Sequence, residues 1–163
     1  MNTKTLSIIP LVLLLTVLRL NGQNLPAADK GDRTLSIQLY GPELLGFHYN
    51  YFLDDRFSLN AGLGIFFNLH AGANYYFLNT SNVNIYAGSQ ICYITELSLD
   101  NIFSNYGGQP AIYFPVGMQY IADKGFTLGL EAGFNLFKDD YGQTNTKPFL
   151  FALKIGYTKK KNR

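Results

Sequence analysis

Cysteine is almost absent from this chain. Cys92 stands alone among 163 residues, so no intrachain disulfide can staple the fold. Charge is also scarce in excess: the formal net charge is +2, and much of the basic surplus sits in Lys159, Lys160, Lys161 and Arg163. That balance is too small for phosphate-backbone recognition, and no nucleic-acid partner is expected. No helical hydrophobic period, low-complexity tract or internal repeat longer than a hairpin is apparent. No apolar run is long enough for a spanning helix. The longest, Ile8 to Leu18, is interrupted by Pro10 and Thr16, whereas a helix crossing needs about 20 residues.

That short run follows Lys4 and precedes the small residue Gly22, the composition of a secretory signal peptide over residues 1–22. Cleavage is expected before Gln23, with sites after Ala27 or Ala28 as the alternatives. No cysteine follows the run to accept a lipoprotein-type acyl group. The remaining 141 of 163 residues suffice for one domain.

What the chain does have is a two-residue rhythm. From Phe126, one parity reads Phe126, Leu128, Leu130, Ala132, Phe134, Leu136, and the other reads Thr127, Gly129, Glu131, Gly133, Asn135. Side chains alternate faces along a strand, so this segment has one greasy face and one small, polar face. Gly46, Gly62, Gly64, Gly72, Gly88, Gly117 and Gly156 fall on the second face of other segments. Eight strands are expected: Thr34–Tyr40, Leu45–Phe52, Phe57–Phe66, Asn68–Phe77, Val83–Ile94, Ala111–Ile121, Phe126–Phe137 and Phe149–Tyr157, separated by Gly, Pro, Asn and Asp clusters. Pro115 removes a ladder donor inside the sixth, which predicts a bulge or kink.

Alternation alone suits either a lipid-embedded barrel or a soluble lipocalin-like one. The polar face distinguishes them. Only Glu131 and Lys154 on it are fully charged, the rest being chiefly Gly, Ser, Asn, Gln, His and Tyr. A water-facing surface would carry many Lys and Glu; a narrow lumen needs small groups that hydrogen-bond one another. Tyr51, Phe57, Tyr75, Phe77, Tyr120, Phe126 and Tyr157 lie on the apolar face near the short turns, as in an aromatic girdle at a membrane boundary. The connections after strands two, four and six are short, while Thr95–Pro110 and Lys138–Pro148 are long, as expected for periplasmic turns and outer loops respectively.

Patterns such as Phe57-Ser-Leu-Asn-Ala-Gly-Leu-Gly64, Phe126-Thr-Leu-Gly-Leu-Glu-Ala-Gly133 and Phe149-Leu-Phe-Ala-Leu-Lys-Ile-Gly-Tyr157 resemble the small eight-stranded bacterial outer-membrane β-barrel proteins, the porin-like outer membrane protein beta-barrel group. The resemblance covers roughly Thr34 to Tyr157 and specifies no activity. It implies an all-β, antiparallel, up-and-down transmembrane barrel over 34–157, a periplasmic lead-in over 23–33 and a basic periplasmic tail over 158–163. It also implies outer-membrane lipid and the barrel-insertion machinery as partners. Family members commonly end on an aromatic residue, whereas Tyr157 here is followed by Thr158 and the basic tail.

Candidate chemistry is sparse. Glu131 and Lys154 point inward on neighbouring strands, where a register pairing them is allowed; a structural ion pair is the first reading and a polar gate the second. His48 and His70 also point inward with Gln90 and Gln119, as hydrogen-bonded lumen groups. A metal site would need a third ligand, so no metal or other cofactor is expected. Cys92, also inward, reads as a small filler. Gly62-Leu63-Gly64 precedes no helix, which rejects a nucleotide fingerprint. No local Ser-His-acid arrangement stands out, and no catalysis is expected. In the Thr95–Pro110 loop, Leu97, Leu99, Phe103 and Tyr106 are candidate contacts for an unidentified surface partner. The expected role of this monomer is structural or interaction-based in the outer membrane. A narrow solute-passing barrel is the alternative, and a lipid-modifying enzyme a more distant one.

Overall fold

The structure, a computed structural model, describes residues 27–43, 45–65, 68–95, 108–138 and 144–161. Eight antiparallel strands run up and down in chain order and close on themselves: β1 (Arg33–Tyr40), β2 (Leu45–Phe52), β3 (Phe57–Gly64), β4 (Leu69–Asn79), β5 (Val83–Thr95), β6 (Gly108–Ile121), β7 (Phe126–Lys138) and β8 (Thr144–Lys159). The closing seam pairs β1 with β8 from Arg33↔Lys159 to Tyr40↔Ala152. Closure removes the free edges of an open sheet, except that β8 residues 144–151 extend beyond β1 and pair with β7 alone.

Burial alternates along the strands as the sequence rhythm requires. In β1, Thr34, Ser36 and Gln38 are buried, while Leu35 and Ile37 are exposed. The exposed set is the greasy one: Ile91 is 71% exposed, Phe151 69% and Phe47 63%. Glycines occupy the inner face because a tightly curled wall brings neighbouring strands together there. A Cβ on Gly46 would stand 2.5 Å from the Leu63 carbonyl oxygen, and one on Gly117 would stand 2.5 Å from the Tyr86 ring. The fold therefore inverts the usual arrangement, with polar groups inside and large hydrophobic ones outside.

Short turns gather at one end. Asp54 Oδ1 accepts the amides of Arg56 (2.7 Å) and Phe57 (2.6 Å) between β2 and β3, an Asx-type turn. Gly125, at φ +93°, turns β6 into β7 in a conformation that non-glycine residues avoid. Strand bounds differ from expectation chiefly at the other end. β6 starts at Gly108, so Pro110, expected in a turn, lies within the strand opposite Tyr93. β8 starts at Thr144 and continues to Lys159, past the expected Tyr157, while β3 stops at Gly64 rather than Phe66. The long connections accordingly shrink to residues 96–107 and 139–143.

Of the bulge or kink expected at Pro115, no bulge occurs, and the disturbance is a local lapse in pairing. Pro115 pairs with Gly133 in an unbroken β6–β7 ladder, and the β5–β6 pairing lapses between Ala87↔Val116 and Gln90↔Tyr113 without changing register. The missing proline N–H opens the ladder locally, and pairing on both sides keeps the register. Register shifts occur instead at Tyr76/Leu78 between β4 and β5 and at Gly133/Asn135 between β7 and β8.

Both mouths are covered. At the short-turn end, Ala27 and Ala28 are fully buried in a cluster with Phe52, Tyr76, Tyr86 and Ile121. Asn79 holds this segment: its Oδ1 accepts the Ala27 amide (2.9 Å), and its Nδ2 donates to the Ala28 carbonyl (2.7 Å). At the opposite end, the 3-10 turn Gly41–Glu43 folds across the opening to approach β3, β4, β5 and β8, and Gly41 and Pro42 are buried. Gly41, at φ +71°, sits so close to Gln38 Nε2 and Ala152 Cβ that a side chain would collide with both.

Candidate functional site in the lumen

Between these two covers lies a buried polar network. Glu131 and Lys154 are inward on β7 and β8, 4% and 6% exposed. They are not directly opposed: Glu131 pairs with Ala152 and Lys154 with Gly129, two residues apart along the ladder. The long lysine side chain spans this diagonal, and Nζ donates to Glu131 Oε2 at 2.7 Å. Gly129 leaves room for it, since a Cβ there would lie 3.3 Å from Lys154 Cβ.

The same carboxylate oxygen accepts the Tyr86 hydroxyl from β5 at 2.7 Å. The phenol end of Tyr86 occupies the space a side chain at Gly117 would need, and its ring packs near Tyr76, with ring centroids 5.3 Å apart. On the other side, Lys154 Nζ lies 3.3 Å from His48 Nε2. Four side chains from β2, β5, β7 and β8 are thus joined across the lumen, so the interior ties together strands that share no ladder. The charges are buried as a pair with further polar partners, the condition under which an interior ion pair can persist.

His48 and His70 lie on one ladder row, through His48↔Gly62 and Gly62↔His70 across β2, β3 and β4. Their rings are 5.2 Å apart. Among the described residues, no group of three or more His, Cys, Asp or Glu side chains converges to hold a metal ion. The Lys154 ammonium beside His48 also disfavours a metal cation there. Ser36 faces His48 across β1 and β2, but its hydroxyl donates to the His48 carbonyl at 3.4 Å rather than to the ring. This contact lacks the hydroxyl-to-imidazole geometry of a nucleophile and its base.

Gln90 and Gln119 point inward as expected, Gln90 buried and Gln119 partly so. Among the described residues, neither amide atom of the Gln90 side chain nor Oε1 of Gln119 has a hydrogen-bond partner, a state shared by the side-chain amides of Asn60 and Asn84 and the Tyr113 hydroxyl. Such atoms require water or polar solute. The space beside the network is only about 10 Å³, bounded by Ser36, His48, Asn50, Tyr86, Gln119 and Lys154. That is about the lower limit for one water molecule. Cys92 is buried with Ala111 and Tyr113 in a small apolar cluster toward the long-loop end.

Outside, Phe57, Tyr75, Phe77, Tyr120, Phe126 and Tyr157 are exposed at the short-turn end, and Tyr51 is half-buried there. Phe57 and Tyr75 pair across strands with ring centroids 5.0 Å apart. Sequence reasoning did not identify a second outward set nearer the other end: Tyr40, Phe47, Tyr93, Phe134 and Phe151. The parity of four was visible, but Tyr40 shares the parity of the inward Ser36 and Gln38 and is exposed at the strand end where its φ is +63°. Leu97, Leu99, Phe103 and Tyr106, with the expected signal segment 1–22, lie outside the described residues. Three threonines were also missed: Thr158, assigned to the tail, is buried between Thr34 and Thr127, 2.7 Å from each hydroxyl. Compared with known proteins, the chain matches no family model, no curated protein and no solved structure.

Proposed function

We propose that this chain is an exported bacterial outer-membrane β-barrel with a closed lumen, acting as a structural or surface-interaction protein through its longer loops. One observation carries the reading: a closed barrel whose outer wall is apolar and whose interior is polar and ion-paired. Burying one large apolar side chain is worth about 1.5–3 kcal/mol, so a wall exposing Leu35, Phe47, Leu63, Ile91, Val116 and Phe151 is ill-suited to water and well suited to hydrocarbon. Closure satisfies the backbone without solvent, as hydrocarbon requires.

The short turns and both described ends of the chain lie together, and in this reading that end faces the periplasm while the connections 96–107 and 139–143 face outward. The buried Ala27–Ala28 segment favours signal cleavage at Gly22, because cleavage after Ala27 or Ala28 would remove part of the lower cover. The two covers and the small central cavity weigh against the solute-passing alternative. The test is conductance of the refolded full chain in a planar bilayer. A silent barrel is expected, with Glu131→Gln and Lys154→Met equally silent. Steady channels that change with either substitution would favour a solute path over the closed scaffold.

A further inference from the structure

At the short-turn end, the strand register brings cations together on the outside of the barrel. Arg33 opens β1 directly opposite Lys159 near the end of β8, and also opposite Tyr51 of β2. Both cations follow the outward parity and are exposed. Directly opposed side chains on one face have their Cβ atoms about 5 Å apart, where like charges destabilise the pairing. The Arg33 guanidinium leans over the Tyr51 ring, 5.7 Å from its centroid, which fixes its position without neutralising it.

The residues before β1 fasten the basic tail to this end of the barrel. Asp29–Asp32 form a turn closed by the Asp32 amide donating to the Asp29 carbonyl at 2.9 Å, with Gly31 at φ +88°. Gly31 and Asp32 join this turn to Phe52 at the end of β2. Asp32 Oδ1 then accepts the backbone amide of Lys161 at 2.7 Å, and the Lys161 stem lies against the bare Cα of Gly31. The described part of the basic tail is therefore folded back onto the barrel end. A cleft of about 340 Å³ results, lined by Gly31, Arg33, Tyr51, Lys159, Lys160 and Lys161. Among the described residues, none of these four cations forms an ion pair with a carboxylate.

The height of the cleft identifies its ligand. Tyr51, one of the girdle rings, lines the cleft itself, and Tyr157 with its partner Phe126 lies one outward step from Lys159, so the cleft sits at the level of the girdle. Aromatic rings favour the boundary between hydrocarbon and headgroups, so cations that share this level with Tyr51 meet the headgroups. We propose that the cleft binds the phosphate of an anionic phospholipid in the leaflet on the short-turn side. The assignment rests on the membrane reading above. Arg33 and Lys159 supply opposed donors from two strands, Lys160 and Lys161 add further positive charge, and the ligand relieves a repulsion built into the closing seam.

The chain contains no tryptophan, so Tyr51→Trp creates a single fluorescent reporter inside the cleft. The reporter protein, refolded at full length into phosphatidylcholine vesicles, is challenged with brominated-chain phosphatidylglycerol or brominated-chain phosphatidylcholine at equal content. Stronger quenching by the phosphatidylglycerol is expected. The preference should fall about tenfold with Arg33→Gln plus Lys159→Gln, and remain with Lys30→Gln plus Lys124→Gln. Quenching by both lipids without preference overturns the lipid site and leaves the membrane reading intact. Quenching by neither overturns the membrane reading itself. A preference abolished by equimolar inorganic phosphate assigns the cleft to a free phosphate and overturns the lipid assignment. A salt titration of the reporter protein tests the site even if the double variant fails to fold: the preference must weaken as salt rises, and one indifferent to salt contradicts a charge-based site.

Discussion

Lys154→Met is expected to lower the folding stability of the barrel by about 3–5 kcal/mol, measured by urea unfolding in lipid vesicles. The substitution retains most of the aliphatic bulk above Gly129 and removes the ammonium. Glu131 then remains buried as a carboxylate, with the Tyr86 hydroxyl as its donor on Oε2. Most of the loss reflects that stranded charge rather than the net worth of the pair. Combining Lys154→Met with Glu131→Gln removes both charges, leaves the Tyr86 hydroxyl an amide oxygen to donate to, and should recover more than half of the loss. If the double variant is as unstable as the two single variants added together, the pair is not coupled and the lumen network is wrong. A neutral Lys154→Met would contradict it equally.

Gly156→Val is expected to prevent closure. Gly156 sits on the closing seam opposite Ser36, and a Cβ there would collide with the Leu35 carbonyl oxygen and with Ser36 Cα. These are ladder atoms of β1 and cannot swing aside as the end of a side chain would. Displacing them separates β1 from β8 and exposes two rows of backbone groups, each costing several kcal/mol in hydrocarbon. Gly129→Ala is the matched control, since its Cβ meets Lys154 Cβ at 3.3 Å and needs only a small adjustment. On a gel in mild detergent, Gly129→Ala should keep a boiling-dependent migration shift and Gly156→Val should lose it. Retention of the shift by Gly156→Val would show that β1 and β8 do not close the barrel in this register.

Much of this architecture was legible because β structure writes its two faces into alternate residues. The series Phe126, Leu128, Leu130 against Thr127, Gly129, Glu131 needed no tertiary knowledge, and burial follows it residue by residue. The inward direction of Glu131, Lys154, His48 and His70 was legible for the same reason. Their connections were not. Glu131 meets Lys154 on a diagonal whose offset is set by the β7–β8 register, and Tyr86 reaches Glu131 from β5, across the lumen. No local pattern encodes a contact between strands that do not pair.

The long-loop end was misjudged for a related reason. Thr144, Asn145, Thr146 and Lys147 are polar at both parities, so the alternation that marks a half-buried strand vanishes and the segment reads as loop. Backbone pairing with β7 nevertheless continues there, through Lys138↔Thr144. The two covers were likewise visible only as turn-prone sequence. Gly41-Pro42 announces a turn but not its inward fold, and Ala27-Ala28 has little side-chain signal of its own. Asn79, which fastens that segment, lies 52 residues from Ala27.

The central claim is that the exposed apolar wall faces lipid. Its most direct test is fractionation of the expressing cell envelope, followed by gel migration of the outer-membrane protein in mild detergent with and without boiling. A lipid-facing wall predicts that the chain stays in the outer-membrane fraction and that the unboiled sample migrates at a different position, as a closed detergent-resistant barrel does. Recovery of the chain in the aqueous extract without detergent, with identical migration before and after boiling, would contradict it.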